Sequence, residues 1–409
     1  MQNKRTLDDW LNWQETLMEE TIVLGLDRVQ IVYDLLFPNG VPYAVITVAG
    51  TNGKGSTVSF IDSIYHKSKY KVGRSTSPHL LKYNERFAID GKEVSDELII
   101  KAFELIETKR EGVTLTYFEF STLAALIIFA EANVDLAILE VGLGGRLDSV
   151  NVVDSDVSII TNIAIDHTDY LGDTREAIGR EKAGVMRTAK PCICGDQDPP
   201  QSLLSYAKQI NTPLTLISKS YKNEIGLEGT HQKRNAAVAV KAIESLADRF
   251  PVSISMITEG IKKARVAARF EKITIGDKTV VLDVAHNPAA VEALINTLSE
   301  NPMETVAIFS ALADKNIVDM IELASGTIKH WFLVPISAER SIDLDSLKNK
   351  FDEPESTTIC LNMNSAISQS LELNEIKRIV IFGSFYTITD AFKIIKSLTL
   401  IVSGVNDKP

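Results

Sequence analysis

The stretch that most constrains this chain is "ITVAGTNGKGSTVSF", residues 46–60. An apolar run passes through three glycines and a lysine into a second apolar run, the order of a strand, a tight loop and a helix. Such a unit commits a chain to layered α/β architecture. The stretch fails the common phosphate-loop pattern G-x-x-x-x-G-K-[ST] twice. Val48 stands where the pattern wants its first glycine, and Gly55 intervenes between Lys54 and Ser56. The chemistry is nevertheless complete. Gly50, Gly53 and Gly55 permit close backbone approach, Lys54 supplies charge, and Ser56 offers a hydroxyl to Mg²⁺ at a helix start, with Thr51 and Asn52 in the turn. An ordinary turn needs neither the lysine nor the hydroxyl, so the loop reads as a nucleotide site.

The rest of the chain repeats the alternation of strand and helix. Leu7, Trp10, Leu11 and Leu17 fall at helical spacing behind a Thr-x-x-Asp start, and a second helix is expected over Asp27–Leu36. Short apolar runs, "YAVITV", "VDLAILEV", "DVSIITNI" and "KPCICG", alternate with helical segments such as 174–187. From about residue 278 the pattern begins again, with strands at "TVVLDVA", "ETVAIFSAL", "HWFLVPI" and "RIVIFGS" and helices near 288–299, 314–325 and 386–397. The predicted fold is α/β, a phosphate-loop-containing parallel-sheet ATPase domain over 1–272 followed by a smaller Rossmann-like α/β domain over 278–409. The junction is expected within 264–278, and 409 residues exceed what one core usually holds.

Charge and cysteine usage narrow the partners. A net charge of -11 argues against nonspecific nucleic acid or anionic membrane binding, which needs basic surface. Cys192, Cys194 and Cys360 cannot build a disulfide framework for this length, and "PCICG" reads as a buried strand. The N-terminus lacks an apolar signal core, and "LAALIIFA" at 123–130 is far short of a spanning helix. A reducing, cytoplasmic setting is the expectation.

Two further positions fit a nucleotide site. Glu140 ends a buried strand in "LEVGLGGRLD", and His167 follows another in "TNIAIDHTDYLG"; open α/β sheets bind ligands at such strand ends. Either residue alone is ordinarily structural. Glu140 is a hard oxygen ligand of the kind Mg²⁺ prefers, whereas His167 is softer.

The motifs "VAGTNGKGS", "TSPHL", "LTYFEF", "LEVGLGGRLD", "IAIDHTDYLG", "IGREKAG", "DVAHNPAA" and "GSFYT" occur in this order. The set closely resembles the folylpolyglutamate synthase/dihydrofolate synthase family of the Mur ligase superfamily, from about Leu7 to Phe392. The resemblance implies ATP-dependent joining of L-glutamate to dihydropteroate or to a reduced folate through an acyl phosphate. It implies Ser56 and Glu140 as ligands of one Mg²⁺, and Ser77, Glu140 and His167 as ligands of a second. It leaves room for a monovalent cation. Lys182 in "GREKAG" resembles a lysine that CO₂ converts to a carbamate, which requires a neutral amine; by residue type alone it reads as a surface lysine. Asn235, Arg269, Asp283 and His286 resemble further ATP contacts, with helix capping as the plain alternative for His286 and Asn287. Leu24, the stretch Thr116, Tyr117, Phe118 and Glu119, and Leu147, Asp148 and Ser149 fall where the family binds dihydropteroate. Two departures stand out. Val23 replaces an aspartate, and "AARFE" lacks the Pro-Gly that precedes the family's arginine.

Lys54, His167 and Lys182 are therefore the expected catalytic groups of a monomeric enzyme acting on small molecules. A cell-wall precursor ligase would need an N-terminal nucleotide-sugar domain, and only 49 residues precede Gly50. Gly55 and the two-domain pattern disfavour an ordinary phosphate-loop NTPase. A non-catalytic nucleotide-binding module would leave Lys182 without a task.

Overall fold

The computed structural model describes residues 5–18, 22–338 and 340–402. They divide into two units. One holds the described residues up to Gly226 together with Gln232–Arg265, the other Leu227–His231 together with those from Val266 onward.

The first unit is built on an eight-stranded sheet: β1 (Ala44–Ala49), β2 (Val72–Ser75), β3 (Phe87–Ile89), β4 (Lys92–Glu93), β5 (Leu136–Glu140), β6 (Val157–Ile160), β7 (Cys192–Cys194) and β8 (Leu214–Leu216). Their order is β4-β3-β2-β5-β1-β6-β7-β8, parallel except for the β2–β3 and β3–β4 pairs. Every residue of β1, β5 and β6 is buried, as strands covered on both faces require. β1 lies between β5 and β6, so the loop after β1 opens between the strands that lead to Glu140 and to His167. A reversal of strand order of this kind creates the ligand crevice of an open α/β sheet.

Local signals explain the helices beside this sheet. Thr6 and Asp9 form a capping box that starts helix Leu7–Glu15, and Asp27–Leu36 is helical over the expected span. Helix Tyr117–Glu131 is buried from Glu119 through Phe129 and is apolar all round, which accounts for "LAALIIFA". The helix after the phosphate loop, Lys54–Lys67, packs on Ile254–Lys263 so closely that a Cβ on Gly260 would lie 2.6 Å from the Ile64 Cα. The helix expected over 174–187 is shorter, Arg175–Ala183, and stops at Gly184.

The second unit has six strands, β9 (Glu271–Ile275), β10 (Lys278–Leu282), β11 (Thr305–Phe309), β12 (Ile328–Leu333), β13 (Thr357–Ile359) and β14 (Arg378–Phe382). They are ordered β13-β12-β11-β14-β10-β9, and only β9 is antiparallel to its neighbour. Phe309, Trp331 and Phe382 meet at its centre with ring centroids 5.0 to 5.9 Å apart. The chain divides after Arg265, a few residues before the expected domain end at 272. β9 forms a hairpin with β10 around Gly276 (φ 62°), so 266–272, Arg269 included, belong to the second unit. Helix Met363–Glu372, also in this unit, was not anticipated. Among the described residues no helix is long and apolar enough to cross a membrane.

Candidate active site

β1 ends at Ala49, and the phosphate loop begins on two left-handed glycines, Gly50 (φ 142°) and Gly53 (φ 81°). Neither position has room for a side chain. A Cβ on Gly50 would lie 1.8 Å from Thr161 Oγ1, and one on Gly53 would lie 2.7 Å from Asn235 Oδ1. The segment after β6 latches the loop. Thr51 N donates to Asn162 O (3.0 Å), Asn52 N to Asn162 Oδ1 (2.8 Å), and Thr161 Oγ1 to Asn52 O (2.7 Å). The Thr51 hydroxyl bonds both the N–H and the carbonyl of Ala164 at 3.1 Å. The amides of Thr51 and Asn52, expected at the nucleotide, are thus committed within the protein. The helix start is left without a side-chain cap. Gly53 provides no side-chain cap and the first intrahelical bond is Thr57 N to Gly53 O, so Gly55 and Ser56 present amides with no intrahelical acceptor.

Two lysines converge on one carbonyl of this loop. Lys54 Nζ donates to Gly50 O and Thr51 O, both at 3.1 Å, and Lys182 Nζ donates to Gly50 O at 3.0 Å. Lys182 is only 3% exposed, which overturns its reading as a surface residue. Burial, and then the charge of Lys54, push its amine down to about 7 from 10.5, against the pull of Asp166 and Asp148.

The oxygen donors needed for a metal lie around the same loop. Ser56 is fully buried, and its hydroxyl has no hydrogen-bond partner among the described residues. Glu140 is buried and accepts from Ser77 N at 3.1 Å, which joins two of the expected ligands. His167 has a left-handed backbone (φ 53°), and its Nε2 lies 3.9 Å from the buried Asp166 carboxylate. No three His, Cys, Asp or Glu side chains gather among the described residues. A metal here would rest on hydroxyls, one carboxylate and one imidazole, a sparse set that suits Mg²⁺, which keeps waters and takes substrate phosphates.

The residues expected at the acid substrate also come together. Gly25 N donates to Leu147 O at 3.1 Å, which brings Leu24 beside Leu147. A Cβ on Gly142 would lie 2.7 Å from the Phe118 ring and 3.3 Å from Asp148 Oδ2, so ring and carboxylate meet across that glycine. Asp148 accepts from Leu143 N and Val150 N, and burial raises its carboxyl to about 6. Three of the expected residues also make structural bonds. Thr116 and Glu119 form a reciprocal cap, Glu119 pairs with Arg28 at 3.1 Å, and Ser149 Oγ bonds Thr122 Oγ1 at 2.6 Å.

This arrangement has close counterparts. Residues 48–240 match the model of the Mur ligase middle domain, and residues 268–385 match that of the Mur ligase glutamate ligase domain. The chain is 35% identical over 407 residues to the dihydrofolate synthase/folylpolyglutamate synthase of Escherichia coli (strain K12), covering 95% of each chain. The chain belongs to that family. It is accordingly an ATP-dependent ligase of the Mur type. E. coli FolC in complex with DHPP and ADP superposes with a TM-score of 0.89 at 33% identity, covering 96% of this chain and 98% of that one. A bifunctional folylpolyglutamate synthase/dihydrofolate synthase with Mn, AMPPNP and L-glutamate bound gives 0.88 at 36% identity, covering 97% and 99%.

Three of the remaining residues that the family resemblance assigned to ATP, Arg269, Asp283 and His286, belong to the second unit. Arg269 lies between two left-handed residues that are not glycine, Ala268 (φ 55°) and Phe270 (φ 52°), and its guanidinium is 5.5 Å from the Phe385 ring centre. Asp283 accepts from Phe270 N and Ala285 N, each at 2.8 Å, and desolvation raises its carboxyl despite Arg269. His286 Nδ1 lies 2.7 Å from Val284 O, so capping falls to Asn287 alone, whose Oδ1 accepts from Ala290 N ahead of Pro288. Asn235, in the first unit, is oriented by Gln232 Oε1 at 2.9 Å. The sequence motifs gave no role to His79, although it lies within "TSPHL", or to Arg86, which ends a short 3-10 turn directly before β3.

Proposed function

We propose that this chain joins L-glutamate to dihydropteroate, giving dihydrofolate, and adds further glutamates to reduced folates. The observation that carries the reading is Lys182, a buried amine near neutrality held against the phosphate loop of a Mur-type ligase. A module that only binds nucleotide has no use for it. A neutral lysine amine adds to CO₂ and releases a proton, leaving an extended carboxylate on Nζ.

In this reading the Gly55 and Ser56 amides and Lys54 hold the ATP phosphates. Ser56, Ser77, Glu140 and His167 are the residues that would hold Mg²⁺. Bound there, the metal neutralises charge where two anions, ATP and the acid's carboxylate, must approach. We assign the nucleotide contacts outside the loop to Asn235, Arg269, Asp283 and His286. The Phe118 ring offers a stacking face for the pterin, and Asp148 accepts its paired N–H groups. An oxygen of the acid's carboxylate attacks the γ-phosphorus and ADP leaves. The amine of glutamate then attacks the acyl carbon of the resulting acyl phosphate, and inorganic phosphate leaves. Three buried thiols fit a reducing cytoplasm.

ADP release in the presence of glutamate, with dihydropteroate or a reduced folate offered as the acid, tests the reading. Turnover with both acids is expected. Turnover with the folate alone reduces it to a folylpolyglutamate synthase, and acid-independent ATP hydrolysis alone would sink it.

A further inference from the structure

Arg86 is 9% exposed and has no carboxylate within ion-pair distance among the described residues. Its guanidinium lies 5.4 Å from the centre of the Tyr83 ring and 5.5 Å from that of Tyr117. Its Nε donates to His79 Nδ1 at 2.9 Å, the one hydrogen bond the guanidinium makes among the described residues. Arginine can only donate, so this nitrogen of His79 accepts, which leaves the imidazole neutral with its proton on Nε2. Both Nη groups are left without an acceptor among the described residues. The adjacent carboxylate does not serve, because Glu85 accepts from the amides of Leu80, Leu81 and Lys82 at 2.7 to 2.8 Å.

A guanidinium withdrawn this far from water normally comes with an anion. Two aromatic rings and an imidazole fix this one in place, yet they leave its fork open. Its surroundings tie it to both halves of the candidate site. His79 lies two residues beyond Ser77, whose amide meets Glu140, and Tyr117 immediately precedes Phe118 at the start of helix Tyr117–Glu131.

We propose that Arg86 is the receptor for a substrate carboxylate, held by its two Nη groups. The proposal rests on the ligase reading above, in which the substrates are rich in carboxylates. The anion has two sources, the α-carboxylate of the incoming glutamate or a carboxylate of the acid substrate. A forked contact suits either.

Arg86→Gln and Arg86→Lys, each checked for a wild-type-like melting transition, are assayed for kcat and for KM with L-glutamate and with dihydropteroate. For Arg86→Gln we expect one KM to rise about 10- to 100-fold, the range of a lost hydrogen bond to a charged group, with kcat within a few-fold. A rise in the glutamate KM assigns the incoming amino acid, and a rise in the dihydropteroate KM assigns the acid. If Arg86→Gln does not fold, Arg86→Lys carries the test, since it keeps the charge between the rings but loses the fork; a several-fold rise in the same KM is then expected. Both KM values within twofold of wild type in a folded variant overturn the proposal, and so does a fall in kcat alone. Absence of acid-dependent turnover in the wild type would instead remove the ligase reading, so the two failures are distinguishable.

Discussion

The phosphate loop and the segment around Arg269 both hold backbone in the left-handed region, and they do so with different residues. In the loop the positions are Gly50 and Gly53, where a Cβ would collide with Thr161 or Asn235. Around Arg269 they are Ala268 and Phe270, which carry side chains in the same conformation. The loop needs glycine for space as well as for φ, whereas the second segment bears only the conformational strain, about 1–2 kcal/mol for each residue. Strain of that size persists where surrounding bonds over-determine it, and here Asp283 takes the Phe270 amide and Glu271 takes that of Ala268, both at 2.8 Å.

Gly50→Ala should break this contrast most severely. The added methyl would displace Thr161 and with it the latch on Asn52, so we expect at least a ~100-fold loss of ATP-dependent turnover and more than about 2 kcal/mol of stability. Wild-type kinetics and melting in this variant would show that the loop adapts as the second segment does.

Lys182 comes next, because its bond to Gly50 O adds a titrating group to the loop side. Lys182→Ala should remove most turnover, with partial return on adding small carboxylates; full activity would rule out the carbamate. Its pH signature follows from the amine at about 7 in the folded protein and 10.5 when unfolded. Between those values the unfolded chain binds more protons, so stability rises with pH, and below pH 7 the slope disappears. Relative to Lys182→Met, the wild type should gain about 2 kcal/mol in denaturant unfolding between pH 7 and pH 9. Parallel pH profiles for the two proteins would mean that the amine stays charged.

Ala268→Gly is the mildest. Relief of the left-handed strain, less the added freedom of the unfolded chain, should raise stability by about 0.5–1 kcal/mol. A lower melting temperature would mean that the Ala268 methyl contributes packing beyond that strain.

Much of the loop side was legible in the sequence because it depends on local order: a strand, glycines, a lysine, a hydroxyl and a helix within fifteen residues. Glu140 was legible as a strand end; His167, expected at another, instead starts the helix Thr168–Leu171, seven residues past the end of β6, and the places of β5 and β6 on either side of β1 follow from strand order, which no local pattern carries. β9 escaped notice for the opposite reason. Its burial alternates, so Glu271 and Lys272 read as a charged linker although they pair with β10. Lys182 defeats residue-type statistics, since its burial is imposed from 132 positions away at Gly50. Arg86 is the same case without a motif to recommend it.

The mutual cap of Thr116 and Glu119 bears on how such an enzyme could change its diet. Tyr117 and Phe118 are the first two residues of a helix otherwise enclosed in the core, with Glu119 anchored to Arg28. An insertion there would rotate every later residue of a packed helix out of register, so new acid substrates would have to be reached by exchanging side chains one at a time on an unmoving frame. In the proposed acid site, lineages that alter their acid specificity should therefore differ at residues 117, 118 and 148 in identity while keeping the length between them.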